Sequence, residues 1–489
     1  MDSSHGLKNL KQIKTTTKDG PRFKEQDQPL SPMARLFHEP GSNVYIITIM
    51  GCKTKIKPDV FKQNLCHSLL RHPRFSSLQV FDKQTNNIKW VPTNVNIDNH
   101  VIVPDLDPDI ECPDKFVEDY MSNLSRSPID NSKPLWDLHL LDIKTTDAQG
   151  TGVFRFHHSL GDGLSLMTLF LACTRQTSDA DALPTLPVNK ESAYIKFGSF
   201  WSVITVLWNS ILAIIMFVFT VLFLKDTETP LKGSAGVENR PRRFVRKSVR
   251  LADVKAVKNA MNVTLNDVVL GVTQAGLSRY LNRRYSEIGN FNDKKDFIPS
   301  GIRLRATFFF NLRATTRIDT LVDSMKRGTL GRWGNQIGYV LLPFAVGLKT
   351  NPLDYVKEAK AVIDRKKASF EPLFSYFVVK SVLKLFGIKA VGKLNHKVFF
   401  NTTLWFSNVP GPQQEVTFCG HDVTYIAPSC YGQPNALMIH IVSYFDKLTF
   451  VISADEETIP DPHRLGDDLE ECLHLIKASA LANMSANNK

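Results

Sequence analysis

The amino-acid sequence predicts an α/β protein in which mixed sheets are flanked by helices. Three observations support that class. Gly152 to His158 alternates and is rich in aromatic side chains, as a strand should be, while Leu164 to Cys173 places apolar residues at helical spacing; a tight turn must join them. Pro134 to Leu141 reads as a second strand, joined to the first through the polar loop Lys144 to Gly152. Toward the carboxyl end, Leu437 to Tyr444 and Leu448 to Ala454 flank Phe445-Asp446-Lys447 and form the clearest hairpin in the chain.

Taken in order, residues 1–28 are polar and charged, without the apolar stretch of a signal peptide, and predict a flexible tail that stays in the cytosol. Val44 to Met50 follows as a strand, Asp59 to Arg71 as an amphipathic helix, Ile88 to Pro92 and Val101 to Val103 as short strands, and Pro113 to Ser125 as a helix. These elements and the strand–turn–helix make an amino-terminal domain over 29–190.

That strand–turn–helix holds the chemistry. His157-His158-Ser159-Leu160-Gly161-Asp162-Gly163 puts two imidazoles and a carboxylate at one junction. Adjacent strand residues point to opposite faces, so only one histidine can work in a given cleft. His158 stands last before the turn and is the candidate general base, a role for which neutral imidazole suits neutral pH. Asp162 pairs with an arginine or caps the next helix. Gly161 and Gly163 remove side chains that would crowd a substrate and allow backbone angles that other residues avoid. A metal site is disfavoured by the opposed faces and the lack of a further ligand at standard spacing.

The longest apolar run, Phe197 to Leu224, has no charged residue and is long enough to cross a bilayer, although Ser202, Thr205, Asn209, Ser210 and Thr220 dilute it. Behind it come Lys225, Lys232, Arg240, Arg242, Arg243, Arg246, Lys247 and Arg250, a cationic flank suited to the cytosolic side. A single crossing would put the two halves of the chain on opposite sides of the membrane. The segment therefore either enters and returns as a bent, re-entrant element or, as the preferred reading, anchors shallowly in the interface; the region 191–247 is read as a membrane segment with a basic linker.

The carboxyl domain, 248–485, opens with a helix over Leu251 to Met261 and another from Asn266 to about Leu281. Asn266-Asp267 before Val-Val-Leu is a helix start, where a short polar side chain satisfies free amides. Asn335 to Phe344 reads as a strand, Pro352 to Lys367 as an amphipathic helix and Phe370 to Phe386 as a mostly apolar one with a core, tunnel-lining or membrane-facing role. Thr403 to Asn408 is a strand ending in a rigid Val409-Pro410-Gly411-Pro412 turn, His440 is structural, and a last helix runs from about Pro462 to Met484.

Composition narrows the partners. The net charge of +12 favours anionic material, yet the basic residues are scattered and no nucleic-acid-binding motif occurs; anionic lipid headgroups or coenzyme A phosphates fit the charge equally well. Seven dispersed cysteines without Cys-x-x-Cys suggest neither disulfides nor zinc. The sequence has no serine-hydrolase elbow, zinc-protease motif, phosphate-binding loop or dinucleotide fingerprint, so direct transfer between two bound substrates is the simpler chemistry.

The His157 to Gly163 motif followed by an apolar helix resembles the acyl-CoA-dependent acyltransferase superfamily. One branch is similar over most of the chain, the plant bifunctional wax ester synthase/diacylglycerol acyltransferases, through Leu30-Ser31-Pro32-Met33, Pro73-Arg74-Phe75-Ser76-Ser77, Lys133-Pro134-Leu135-Trp136, Leu265 to Leu270, Asn311-Leu312-Arg313, Arg332-Trp333-Gly334-Asn335, Ser407 to Pro412 and Pro460 to Arg464. The resemblance implies two chloramphenicol-acetyltransferase-like domains with a tunnel between them. It implies His158 as base, with acyl-CoA as co-substrate and no permanently bound cofactor, and a fatty alcohol or diacylglycerol as acceptor. Asn266, or the positive end of its helix, would face the oxyanion or the pantetheine arm, with Asp267 beside it. Arg313 is either a partner for Asp162 or an ordinary surface arginine. Attachment to membrane lipid at the endoplasmic reticulum, catalytic domains in the cytosol, is the expected location, with the plasma membrane as second candidate. The rival readings are another alcohol or amine acceptor and a catalytically idle lipid-binding scaffold.

Overall fold

The computed structural model describes residues 28–487 apart from 86, 108, 188–198, 289–295, 313–316 and 331–332. The expected tail, the start of the expected membrane region and Arg313 lie outside the described residues. The chain divides into two compact units, one of residues 1–186, 313–336 and 411–430, the other of 187–312, 337–410 and 431–489. The carboxyl half is therefore not one contiguous domain, because two of its segments pack with the amino-terminal unit.

The first unit is built on a seven-stranded mixed sheet in the order Val101–Ile102, Trp136–Leu141, Gly150–His157, Tyr45–Cys52, His421–Tyr431, Val416–Phe418, Thr174–Gln176. Strands from beyond residue 410 complete this sheet, a pairing no local pattern announces. The strand Gly150–His157 is central, antiparallel to Tyr45–Cys52 on one side and to Trp136–Leu141 on the other. Asp137 and Arg155 face each other across the second pairing and form a buried two-pronged ion pair, 2.7 and 3.0 Å. Burial opposes ionisation of Asp137, but hydrogen bonds from His139 and Arg155 outweigh it and hold the carboxyl down at about 2. The helix Pro113–Ser125 matches the sequence reading, whereas the one read over Asp59 to Arg71 runs from Pro58 to His67 and gives way to a 3-10 turn at Leu69–Arg71.

The second unit carries a six-stranded sheet in the order Ile337–Phe344, Leu304–Asn311, Leu404–Val409, Leu437–Tyr444, Lys447–Ala454, Arg243–Arg250. One face alternates Leu304 and Ala306, Leu404 and Phe406, Leu437, Ile439 and Ile441, and Leu448, Phe450 and Ile452 into a core with the helices Leu251–Met261, Leu265–Ile288, Leu353–Lys367 and Pro462–Asn487. On the other face Phe309, Tyr339 and Trp405 pack with Phe399 of the helix Glu371–Phe400, and Tyr339 also meets Phe217 of the helix Phe200–Leu222.

Two elements differ from expectation. Residues 243–247, read as the end of a basic linker, belong to the edge strand Arg243–Arg250 of this sheet. Its cations are paired rather than free: Arg243 with Glu456 at 2.9 Å, and Lys247 with Asp467 and Glu470 at 2.9 and 2.7 Å. Arg242 is fully buried and donates to the carbonyls of Ala436, Val237 and Gln433. Charged side chains on an edge strand blunt further strand pairing, which explains why this strand looks like a linker in sequence.

The helix Phe200–Leu222 is long and apolar enough to cross a membrane. Val206, Ser210, Ala213, Phe217 and Thr220 recur at steps of four and three and are buried, so one stripe runs along the second unit. Three of the five polar residues that dilute the run, Asn209, Ser210 and Thr220, serve that stripe. Ser210 Oγ accepts from Phe370 N at 2.9 Å, Asn209 donates to Ala368 O at 3.1 Å, and Thr220 O accepts from Asn401 Nδ2 at 2.7 Å. Just past the helix, Asp226 forms a buried ion pair with Arg305 at 2.6 Å. The opposite stripe is bare, with Phe200 and Trp201 more than 70% exposed and Trp208 61% exposed.

Candidate active site

The motif strand ends at His157, and His158–Leu160 turn through a short 3-10 helix into the helix Gly163–Ala172. The two imidazoles diverge as alternation requires. His157 is 2% exposed and saturated. Its Nε2 lies 3.0 Å from both Phe37 O and Asn43 Oδ1. A carbonyl oxygen only accepts, so Nε2 carries the proton and Nδ1 accepts from Ser159 Oγ at 2.6 Å. Ser159 in turn accepts from Gln79 Nε2 at 2.8 Å, and Gln79 Oε1 accepts from His38 Nε2 at 2.6 Å. Burial, reinforced by neighbouring His38, holds His157 well below the ordinary histidine range. With both nitrogens engaged, it has no lone pair for a substrate.

His158 is placed differently. Its ring stacks on Phe37 with centroids 4.1 Å apart, and the residue is half-buried. Burial lowers its pKa to about 4; its own backbone, the charge of Asp162 and Asn335 pull weakly the other way. The ring is therefore neutral at pH 7. Its Nδ1 is enclosed without a hydrogen-bond partner.

The turn is clamped through its carbonyls. Asn335 Nδ2 donates to His158 O at 2.9 Å and Ser159 O at 3.3 Å, and Trp333 Nε1 donates to Leu160 O at 2.7 Å. The indole also packs on the buried His72, centroids 4.1 Å apart. A Cβ on Gly161 would lie 3.0 Å from Trp333 Cζ2. The expectation that these glycines supply special backbone angles is corrected: Gly161 has an extended φ of 174°, and Gly163 is the first residue of an ordinary helix. Gly161 is needed for the close approach of the indole.

Asp162 resolves as the helix cap, accepting from Ser165 N at 2.9 Å. Its expected partner Arg313 lies outside the described residues. In the second unit, Asn266 is not a cap. Thr264 caps that helix, with its Oγ1 accepting from Asp267 N at 3.3 Å, and Asp267 replies by accepting from Thr264 N at 2.7 Å, a reciprocal capping box. Asn266 is left exposed, with its Oδ1 accepting from Asn408 Nδ2 at 2.6 Å. That bond turns the Asn266 amide nitrogen away as a donor. Sequence reasoning assigned no role to Trp333, Asn335, Ser159, Asn43, Gln79, His38 or Asn408. The only signal was that Ser159, Trp333, Asn335 and Asn408 sit in stretches already singled out by resemblance.

Among the described residues no group of three or more His, Cys, Asp or Glu side chains could hold a metal, and the seven cysteines are free. Two α/β units, one presenting His-His-x-x-x-Asp-Gly at a strand-to-helix turn, define a coenzyme A-dependent acyltransferase. Residues 48–269 match the model of the wax ester synthase/diacylglycerol acyltransferase catalytic domain, and 333–477 match the WS/DGAT C-terminal domain. Wax ester synthase/diacylglycerol acyltransferase 11 of Arabidopsis thaliana is 48% identical over 471 residues, covering 93% of this chain and 96% of that one. The chain belongs to the wax ester synthase/diacylglycerol acyltransferase family. Among solved structures, the wax ester synthase/diacylglycerol acyltransferase of Marinobacter aquaeolei VT8 superposes with a TM-score of 0.60 at 20% identity, over 92% of this chain and 99% of that one. A mutant starter condensation domain of rhizomide synthetase in complex with C8-CoA superposes with a TM-score of 0.51 at 13% identity, over 92% and 94%. These two likenesses concern the fold.

Proposed function

We propose that this protein transfers the acyl group of acyl-CoA to the hydroxyl of a fatty alcohol or a diacylglycerol, giving a wax ester or triacylglycerol and free coenzyme A. His158 Nε2 takes the hydroxyl proton as the oxygen attacks the thioester carbonyl. The tetrahedral intermediate then collapses with cleavage of the carbon–sulfur bond, and the departing thiolate recovers the proton from His158. Such a base is worth ~10²–10⁴ in rate. The observation that carries the reading is the pairing of a saturated His157 with a neutral, half-buried His158 on a clamped turn. Asp162 and Gly163 support that turn, Asn266 is a donor to a substrate oxygen, and Arg313 is the partner proposed for Asp162. Family membership supports both acceptor classes.

Both acceptors and both products are water-insoluble, and the bare stripe of Phe200–Leu222 supports attachment to membrane lipid. Because the other stripe is docked along the second unit, the helix lies in the interface rather than crossing it. The location proposed is the cytosolic face of the endoplasmic reticulum, with the plasma membrane as alternative.

The test is purified protein with acyl-CoA and either hexadecanol or diacylglycerol, following ester formation and free thiol. Ester formation with either acceptor, abolished in a folded His158→Ala protein, is the expected result. Full activity of that variant refutes the mechanism, and no transfer to either acceptor refutes the function. Replacing exposed Trp201, Leu207, Trp208 and Ile211 by serine should release the protein from membranes; unchanged sedimentation counts against the anchor. Deleting the whole helix is a poorer test, since it removes the buried stripe too.

A further inference from the structure

We propose that the exposed face of the kinked helix Glu371–Phe400 is a docking surface for anionic lipid headgroups. The proposal rests on the membrane reading above and adds which lipids are recognised and by which residues.

The face is legible residue by residue. Leu373, Phe377, Lys380 and Lys384 follow one another at steps of four, three and four, so they share one stripe. All four are exposed, Phe377 by 57%, while Ser375 and Val379 face inward. Gly387 then breaks the helix at φ 78°, ψ 178°, a left-handed conformation that favours glycine. Just before the break, Leu385 and Phe386 are each 71% exposed. Beyond it Lys389, Lys393 and Lys397 are exposed and recur every four residues.

Charge selects the occupant. Residues 372–400 contain these five lysines and no aspartate or glutamate. None of the five has a carboxylate partner among the described residues. The preceding helix shows the contrast: Lys357 pairs with Asp354, Lys360 with Asp364 and Lys366 with Glu371, at 2.9, 2.6 and 2.6 Å. A soluble polyanion would satisfy the ammonium groups but leave Phe377, Leu385 and Phe386 in water. An anionic bilayer satisfies both, with lysine heads at phosphate level and apolar side chains at the acyl boundary. Phe374, next to the stripe, packs edge-on against Phe217 on the buried stripe of the apolar helix at 5.5 Å, so the two helices adjoin.

The experiment uses the full chain and vesicles of phosphatidylcholine, alone or mixed with phosphatidylserine. Each basic residue near an anionic surface contributes about fivefold in partition. Wild type should therefore bind the mixed vesicles at least tenfold more tightly, and high salt should shrink that margin. Lys380→Gln, Lys384→Gln, Lys389→Gln and Lys393→Gln combined should erase the margin while leaving binding to neutral vesicles and the melting temperature unchanged. Leu385→Ser with Phe386→Ser should weaken binding to both. Equal wild-type affinity for the two vesicles, or a full margin in the four-glutamine variant, overturns this proposal alone. Binding to neither overturns the membrane reading and this surface with it.

Discussion

Two helices in this protein begin with an aspartate next to a residue marked for chemistry, and they begin differently. At Gly163–Ala172 the aspartate is itself the cap, and the turn before it holds His158 between the Phe37 ring and the Asn335 and Trp333 donors. At Leu265–Ile288 the cap is Thr264, Asp267 answers it, and Asn266 projects from the first turn with one bond to Asn408. The difference separates residues that build a site from residues left available to act. Asp162 and Asp267 are both engaged with backbone amides; His158 Nε2 and the Asn266 amide nitrogen are not.

The sharpest way to break the comparison is at the two available groups. His158→Ala should lower the rate ~10²–10⁴-fold with the melting temperature held, measured by product formation and thermal unfolding. Because burial sets the His158 pKa at about 4, the acid limb of the wild-type rate profile should fall well below the ordinary histidine value of about 6.5. A limb at 6.5 would mean that another group is the base. Asn266→Ala should cost ~10²–10³ in rate if its amide stabilises the oxyanion, with stability changed by no more than about 0.5 kcal/mol. An unchanged rate would return Asn266 to the surface.

The engaged groups should respond in stability instead. His157→Ala takes the donor from Phe37 O and Asn43 Oδ1, while Ser159 keeps Gln79, and should destabilise by about 1–3 kcal/mol for each group left unpaired, read by denaturant unfolding. Asp267→Ala removes half of a capping box and should cost ~0.5–2 kcal/mol with the rate little changed. The smallest effect near neutrality is a linked one. His38, His100, His158 and His440 are lowered to about 4 and His72 to about 3, all mainly by burial. Well above pH 6.5 these rings are neutral folded or unfolded, so they do not affect stability there. As pH falls from 6.5 toward 4 the unfolded chain takes up protons that the folded chain refuses, so stability must drop through that window. A melting temperature flat from pH 7 to 5 would contradict the burial of these rings.

Much of the fold was legible because its signals are local. The helices Pro113–Ser125 and Leu251–Met261 and the hairpin strand Leu437–Tyr444 end where turn and period signals say they should. Arg243–Arg250 was hidden because an edge strand carries the same charges as a linker, and only its partners on 456, 467 and 470 tell them apart. The membership of 416–431 in the first sheet depends on pairing with strands more than two hundred residues earlier. At the site, alternation says that only one of the two histidines can face the cleft, and the place of His158 as the last residue before the turn singles it out. Nothing comparable marks the Asn335 and Trp333 clamp, since hydrogen bonds to carbonyls 173 to 177 residues away have no sequence period.

The buried stripe of the apolar helix has a consequence for how the protein is made. Ser210 and Thr220 wait for Phe370 and Asn401, which leave the ribosome 160 and 181 residues later. At roughly 5–20 residues per second, that is about 10–30 s during which a nascent chain shows two greasy sides rather than one. Translation arrested near residue 300 should thus yield chains that cling to microsomes or to chaperones far more tenaciously than the finished polypeptide does, and co-sedimentation of such arrested chains would measure it.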